Sequence, residues 1–181
     1  MRTPKLIGTL SIVLLTMTFA AAAQAEMQTV TLLKNSVTLS LPAELIPMPP
    51  EEMDKMYPFK GRPSLIYRSE DGSMNLTIDY GRFPLAEKNV ELTRQSMVKS
   101  YKENYPKATW GGDDVVEVNG KKVGYIEYLS APDKNQNQTY NFTMFTSVKD
   151  NLFTVSLMCT ADKGQCKPKA QDILKSLAVK E

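Results

Sequence analysis

The pair Asn119-Gly120 constrains this chain more than any other feature. It joins two strand-like runs, Thr109–Val118 and Lys121–Leu129. A two-residue hairpin of type I′ needs positive φ at both central residues, and Asn followed by Gly tolerates that best. Counting outward from the turn sets Val118 opposite Lys121, Glu117 opposite Lys122 and Val116 opposite Val123. Opposite charges then face each other across the ladder at Glu117 and Lys122. The remaining segments must extend or cover a sheet grown from this hairpin.

The segments before the hairpin begin with a basic stretch, Met1-Arg-Thr-Pro-Lys5. An apolar run follows, Leu6–Ala23, interrupted by Gly8, Thr9, Ser11, Thr16 and Thr18 and ending Ala23-Gln24-Ala25. Small-x-small before Glu26 predicts a cleavable signal peptide over residues 1–25. A membrane span of minimum length is the competing reading, and the clean cleavage site favours export. The short, alanine-rich form points to a bacterial periplasm. No cysteine lies near the cleavage point to take a lipid, so no stable membrane anchor is expected.

Residues 26–181 then form a single domain, long enough to bury a sizeable core. Two of the 22 basic residues, Arg2 and Lys5, belong to the expected leader, which leaves the rest in balance with the 20 acidic ones. A neutral, mixed surface argues against nucleic acid or an anionic membrane as partner. Cys159 and Cys166 are the only cysteines. An oxidising compartment favours a disulfide between them, tying the last strand to the last helix. A redox or metal pair is disfavoured, because the spacing is not Cys-x-x-Cys and no other soft ligand accompanies it.

Taken in order, Gln28–Leu33 and Ser36–Leu41 read as two short strands about Lys34-Asn35, with Pro42 ending the second. A proline-stiffened segment runs from Ile46 to Pro63, in which Pro50, Glu51 and Glu52 can open one helical turn. Ser64–Arg68 and Ser73–Tyr80 are strands about the turn Glu70-Asp71-Gly72. Leu76, Ile78 and Tyr80 share one face, Asn75, Thr77 and Asp79 the other. Gly81 and Pro84 are expected to break the run. Glu87–Tyr105 is the strongest helix: Val90, Met97, Val98, Tyr101 and Tyr105 form a stripe with Arg94 in the gap. Its polar face carries both signs of charge, unlike a membrane-surface helix.

After the hairpin comes a polar loop, Ala131–Gln138. Strands Thr139–Val148 and Leu152–Thr160 follow, the second with Phe153, Val155, Leu157 and Cys159 on one face. A last helix is expected from near Pro168, with Ala170, Ile173, Leu174 and Leu177 as its stripe. The order is four strands, a helix, four strands, a helix. Hairpin connections imply a mostly antiparallel sheet flanked by two main helices, an α+β sandwich.

This pattern resembles the PsbP/Mog1/DcrB-like α/β/α sandwich group. The shared features are the early paired strands with Leu41-Pro42 ending the second, the mid-chain helix, the long Asn119-Gly120 hairpin, two long strands and a final helix ending Ile173-Leu-Lys-Ser-Leu177. The likeness spans nearly all of residues 26–181 and assigns no functional residue. Members of the group include photosystem assembly factors, a GTPase-binding factor, envelope lipoproteins and secretion-effector chaperones. The resemblance therefore implies an accessory or adaptor protein. The lipobox cysteine of the lipoprotein members is absent here.

The side chains offer little chemistry. There is no histidine, which removes Ser-His-Asp and Cys-His catalysis and the commonest zinc ligand. Asp113 and Asp114 are adjacent strand residues pointing to opposite faces, poorly placed to act as a pair. Gly111-Gly112 reads as a bulge or turn entering the hairpin, not a phosphate loop. Glu70-Asp71-Gly72 is too sparse for a calcium loop. No cofactor, no metal and no enzymatic activity are expected.

The candidate partner-binding residues fall in three groups. Met48, Met53, Met56, Tyr57 and Phe59 are either a lid on the core or an adaptable contact surface. Trp110, with Tyr125 and Tyr128, is either a sheet-end residue or an interface anchor. Asp133 and Asn135 mark the polar loop. The expected function is a periplasmic protein-binding module, foremost a stoichiometric inhibitor such as an immunity protein against a secreted, periplasm-acting toxin. An envelope assembly factor and a small apolar-ligand carrier are the alternatives.

Overall fold

The Asn119-Gly120 turn is left-handed at both positions, with φ of 48° and 80°. Val118 pairs with Lys121, Glu117 with Lys122 and Val116 with Val123, the register the turn type dictates. A second turn of the same hand lies at Lys149 and Asp150, with φ of 49° and 57°. The computed structural model describes residues 26–59, 61–134, 137–160 and 163–180. The expected leader, residues 1–25, lies outside the described residues, as does Asn135.

In chain order the elements are β1 (Met27–Leu32), β2 (Val37–Pro42), β3 (Ile46–Pro47), α1 (Pro50–Met56), β4 (Leu65–Arg68) and β5 (Met74–Pro84). A 3-10 turn, Glu87–Asn89, leads into α2 (Val90–Asn104). Then come β6 (Thr109–Val118), β7 (Lys121–Leu129), β8 (Tyr140–Val148), β9 (Asn151–Cys159), α3 (Lys163–Ser176) and β10 (Ala178–Val179). Seven strands form one sheet in the order β3-β4-β5-β9-β8-β7-β6, and three form another in the order β1-β2-β10. Every pairing is antiparallel. Strands β5 and β9 join the two halves of the chain, from Met74 opposite Cys159 to Pro84 opposite Asn151.

The larger sheet has two unlike faces. Its first face carries Leu76, Ile78, Phe142, Met144, Phe153, Val155 and Leu157, all buried. Val37, Leu39 and Leu41 of β2 and Ala170, Ile173 and Leu177 of α3 close over them in the main core. Each large apolar side chain fully buried there contributes about 1.5–3 kcal/mol. The second face is patchy. Helix α2 covers one part, packing Val98 and Tyr101 on Ile126 and Tyr128. Helix α1 covers another, packing its Met53, with Met48 just ahead of the helix, on Ile66.

Two close approaches lock β7 to its neighbours, one to β8 and one to β6. Phe145, which is buried, lies over Gly124: a Cβ there would sit 2.3 Å from the ring. On the first face Glu127 is buried, and its carboxylate accepts the Tyr140 hydroxyl at 2.8 Å and Lys167 Nζ at 2.5 Å. A Cβ on Gly111 would meet that carboxylate at 2.9 Å. The register slips between Trp110 and Gly112, which is the bulge expected from Gly111-Gly112. Cys159 and Cys166 form a disulfide, with their Cα atoms 6.0 Å apart.

Several expectations are corrected. The antiparallel sheet expected is there, with seven strands, but β1 and β2 pair apart from it, in a second sheet that β10 joins. Strand β5 does not stop at Gly81. It bulges there, at a φ of 78°, and continues to Pro84 opposite Asn151. Helix α3 begins before Pro168, since the disulfide fixes Cys166 inside the helix. The proline-rich segment holds a full seven-residue helix, α1, whose Pro50 start and acidic first turn suit a helix N-terminus. At the turn between β4 and β5, Asp71 accepts hydrogen bonds from Ser69 Oγ and from Ser73, which lower its pKa to about 2.

Gly124→Ala should lower stability by about 1–3 kcal/mol, because Phe145 has no space to yield. Urea denaturation measures it, and an unchanged midpoint would mean that the ring is not held. Reducing the disulfide should cost about 2–3 kcal/mol for a loop of this size, seen as a shift in denaturation midpoint with and without reductant.

Candidate functional site

Hydrogen-bond register fixes what lies on the second face. One row across the strands runs Ile66, Thr77, Ser156, Thr143, Ile126. The row toward the Cys159 end runs Arg68, Asn75, Met158, Asn141, Tyr128, Trp110. Toward the other end, Asp79, Thr154, Phe145 and Gly124 follow one another. The outer members of these rows lie under α1 and α2. The middle members, on β5 and β9, have no helix over them.

The result is a trough with helical banks. Its floor is hydroxyl- and amide-bearing: Asn75, Thr77, Thr154 and Ser156 are half-buried, and Met158 is 46% exposed among them. Thr143 Oγ1 and Ser156 Oγ lie 3.1 Å apart, and the Tyr101 side chain reaches Thr143 from the α2 bank. At one end the floor deepens into a cavity of about 230 Å³, lined by Pro63, Asp79, Arg82, Phe83 and Leu152 among others. Asp79 is engaged there by Arg82 Nε at 2.9 Å and Ser64 Oγ at 2.9 Å.

The α1 bank is apolar and exposed. Met56 is 53%, Phe59 55% and Phe83 63% exposed. Phe59 packs edge-on against Tyr57, at 6.0 Å between ring centroids. Arg82 donates to the Gly61 carbonyl at 2.5 Å, which fastens the segment bearing Phe59 along the extension of β5 bearing Phe83. The bank's arginines are paired internally, Arg62 with Asp54 and Arg68 with Glu52 at 2.6 Å.

The sequence candidates divide accordingly. Met53 on the inner side of α1 and Met48 just ahead of it are buried and serve as its footing, while Met56 and Phe59 face solvent and Tyr57 is half-buried. Trp110 and Tyr128 lie on the same sheet face under α2, their rings 5.2 Å apart. Tyr105 stacks on Tyr128 at 5.3 Å, and Lys102 Nζ lies 5.3 Å over the Trp110 ring. Tyr125 does not join them: it points to the first face and stacks on Phe142. The aromatic trio is therefore not one surface, because Tyr125 and Tyr128 are an odd number of residues apart on one strand. Asp133 folds its own loop, accepting the Asn137 N–H at 2.8 Å. The trough floor and Phe83 were missed as a site. Their only sequence signal is the polar alternation of Asn75, Thr77 and Asp79.

Asp113 and Asp114 are engaged separately. Asp113 pairs with Arg94 of α2, and Asp114 accepts the Val115 N–H at 2.8 Å on the open edge of β6. Among the described residues no three His, Cys, Asp or Glu side chains are grouped to hold a metal ion. No described helix is long and apolar enough to cross a membrane.

No protein-family model matches the sequence, and no curated protein sequence is similar to it. Solved structures match at the level of fold. Cyanobacterial PsbP from Synechocystis aligns with a TM-score of 0.59 at 14% identity, over 90% of this chain and 98% of that one. The Ran-binding protein Mog1p of Saccharomyces cerevisiae aligns at 0.54 and 14% identity, over 86% and 96%. LpqN of Mycobacterium tuberculosis, described as involved in cell envelope biogenesis, aligns at 0.52 and 11% identity, over 86% and 91%. The chain has the PsbP/Mog1-like fold.

The aromatic packing carries a pH dependence. Burial raises the phenol pKa of Tyr101, Tyr128 and Tyr140 above the usual 10.0, and Glu127 raises that of Tyr140 further. These phenols stay neutral when folded but ionise near the ordinary value when unfolded. Their contribution to stability is whole below about pH 10 and erodes as the pH climbs above it. Urea titrations at pH 8 and pH 11 should show this loss, and Tyr128→Phe should flatten it.

Proposed function

We propose that this chain is an exported, non-enzymatic module that binds another protein through the α1 bank and the trough beside it. In its most specific form it is a stoichiometric inhibitor, an immunity protein that occludes a toxin acting in the periplasm. The observation that carries this reading is the bank itself. Met56, Phe59 and Phe83 stand exposed beside a concave floor, with the neighbouring arginines already paired. Exposed aromatic and Met side chains on a rigid support are the chemistry of interface anchors. Affinity would come from shape and apolar burial, since the paired ions leave little charge for steering.

Likeness to Mog1p, a Ran-binding protein, and to LpqN supports a binding or accessory role in general terms. The LpqN likeness also favours the second reading, an envelope assembly factor. A carrier of small apolar ligands has less support, because Val98, Ile126 and Phe145 fill the space between α2 and the sheet. Export is supported by the leader pattern and the disulfide.

Affinity capture of the tagged protein from periplasmic extract, mixed with secreted material from competing strains, tests the proposal. One stoichiometric partner is expected, and it should be lost when Phe59 and Phe83 are both changed to Ala. A partner whose activity falls to zero at equimolar complex would be the inhibited toxin. One that remains active would favour the assembly reading. An empty capture, or one the double variant leaves unchanged, would overturn the binding site.

A further inference from the structure

The trough has a definite width. Ile66, under α1, and Ile126, under α2, share one row with Thr77, Ser156 and Thr143 between them. They are four strand spacings apart, about 19 Å at roughly 4.8 Å per strand. Helices packed side by side lie about 8–10 Å apart. The interval from α1 to α2 is therefore twice one packing distance. We propose that the trough seats one α-helix of the partner protein, presenting an uncharged face, so that bound and resident helices form a three-helix layer. The inference rests on the protein-binding reading above and names the element that binds.

Charge decides the character of that face. The ionic groups at the trough are paired within the protein, Asp79 with Arg82 and Arg68 with Glu52. On α2, Tyr101 reaches Thr143 and Met97 packs at the Phe145 end, so this side of the helix borders the trough. Helical periodicity puts Thr93, Ser100 and Asn104 on the same side, all uncharged. A charged residue brought here would lose its water and find no free counter-charge. Asn75 adds a positive signal. Its Oδ1 is buried without a hydrogen-bond partner, beside the half-exposed, flexible Met158. A seated helix that displaces the thioether and delivers a side-chain donor would satisfy an acceptor the free protein leaves unpaired.

A second copy of this chain does not fit. The outward faces of its two long helices carry Lys88, Lys99 and Glu103 on α2 and its approach, and Asp172 and Lys175 on α3. Neither offers an uncharged face. A glycan fits less well, since no aromatic ring lies in the floor rows between Ile66 and Thr143 to stack a sugar.

The test is a display library built on a helical-hairpin scaffold, with one face of one helix randomised and panned against the purified protein. Enriched helices should carry small, hydroxyl or amide residues on the seating face. Binding should weaken about a hundredfold in Ser156→Arg and Thr154→Arg, because a buried unpaired charge is costly. It should be unchanged in Glu117→Arg, on the far edge strand. Thermal melts of each variant separate lost binding from lost folding, and Thr154→Arg serves should Ser156→Arg fail to fold. No enriched helix, charged seating faces, or binding indifferent to both trough variants would overturn the proposal. So would a concentration-dependent dimer abolished by Ser156→Arg, which would assign the trough to a second copy. A captured natural partner indifferent to Ser156→Arg would sink this inference and leave the binding module standing. Helices that seat here while capture stays empty would uphold the seat and sink the natural-partner reading.

Discussion

The pairing of β5 with β9 is the constraint on which the rest of the molecule depends. Before it forms, the chain is two sets of hairpins with no strand contact between them in the larger sheet. The pairing joins Met74 to Cys159 and Tyr80 to Phe153, residues far apart in the chain with α2 and the central hairpin between them. Such non-local pairing bears a loop-closure entropy before any contact compensates it. What compensates it is the first face, where Leu76, Ile78, Phe153, Val155 and Leu157 are buried together. The disulfide acts on the same region, because Cys159 ends β9 and Cys166 ties α3 down over the first face. The sheet is thus held from one side. The other side of the same two strands is left free to be polar.

That asymmetry explains why a trough can exist at all. A sheet face left uncovered must keep its side chains hydrated, or expose apolar area that invites aggregation. From Asn75 to Asp79 on β5 and from Thr154 to Met158 on β9 the uncovered positions are Asn75, Thr77, Asp79, Thr154 and Ser156, with Met158 the one apolar residue of that stretch. The open edge at β6 is guarded as well. It carries a bulge at Gly111-Gly112 and the acids Asp113, Asp114 and Glu117, and Asp114 occupies the Val115 N–H. An added strand would have to displace that bond and lie against acidic side chains. An edge so guarded resists pairing with a further strand, which on the proposed reading leaves the face and its apolar bank for association.

The elements written into local sequence were legible. Asn119-Gly120 specified its turn and register, and the period-2 runs of β5, β8 and β9 named their buried sides through Leu76, Phe142 and Phe153. The stripe on α2 from Val90 to Tyr101 did the same. What was not legible depends on long-range placement. Nothing local marks Ala178-Val179 as a strand, because its pairing with Val37 and Thr38 needs α3 to have folded back. Gly81 reads as a break unless Asn151 is known to lie opposite Pro84. Trp110, Tyr125 and Tyr128 look like one aromatic group until strand parity sends Tyr125 to the core. The polar alternation of Asn75, Thr77 and Asp79 was visible, but whether a helix would lie over it was not. That depends on where α1 and α2 land, four strand spacings apart.

Helix α1 carries the last step of this argument. It stands on a separate apolar cluster of Met48, Met53 and Ile66, with Tyr57 at its margin, apart from the main core. Two ion pairs of partial exposure, Glu52 with Arg68 and Asp54 with Arg62, hold it from outside. Exposed pairs contribute little each, about 0–1 kcal/mol, so α1 rests chiefly on two methionines over one isoleucine. Methionine adapts its shape more readily than branched residues do. The bank that carries Met56 and Phe59 is therefore the part of the fold best able to shift by small distances without disturbing the sheet. A rigid floor with one yielding wall can fit partners of slightly different girth. The opposite wall, α2, is fixed to the sheet by Val98 and Tyr101 packed on Ile126 and Tyr128. Any adjustment in width must come from the α1 side.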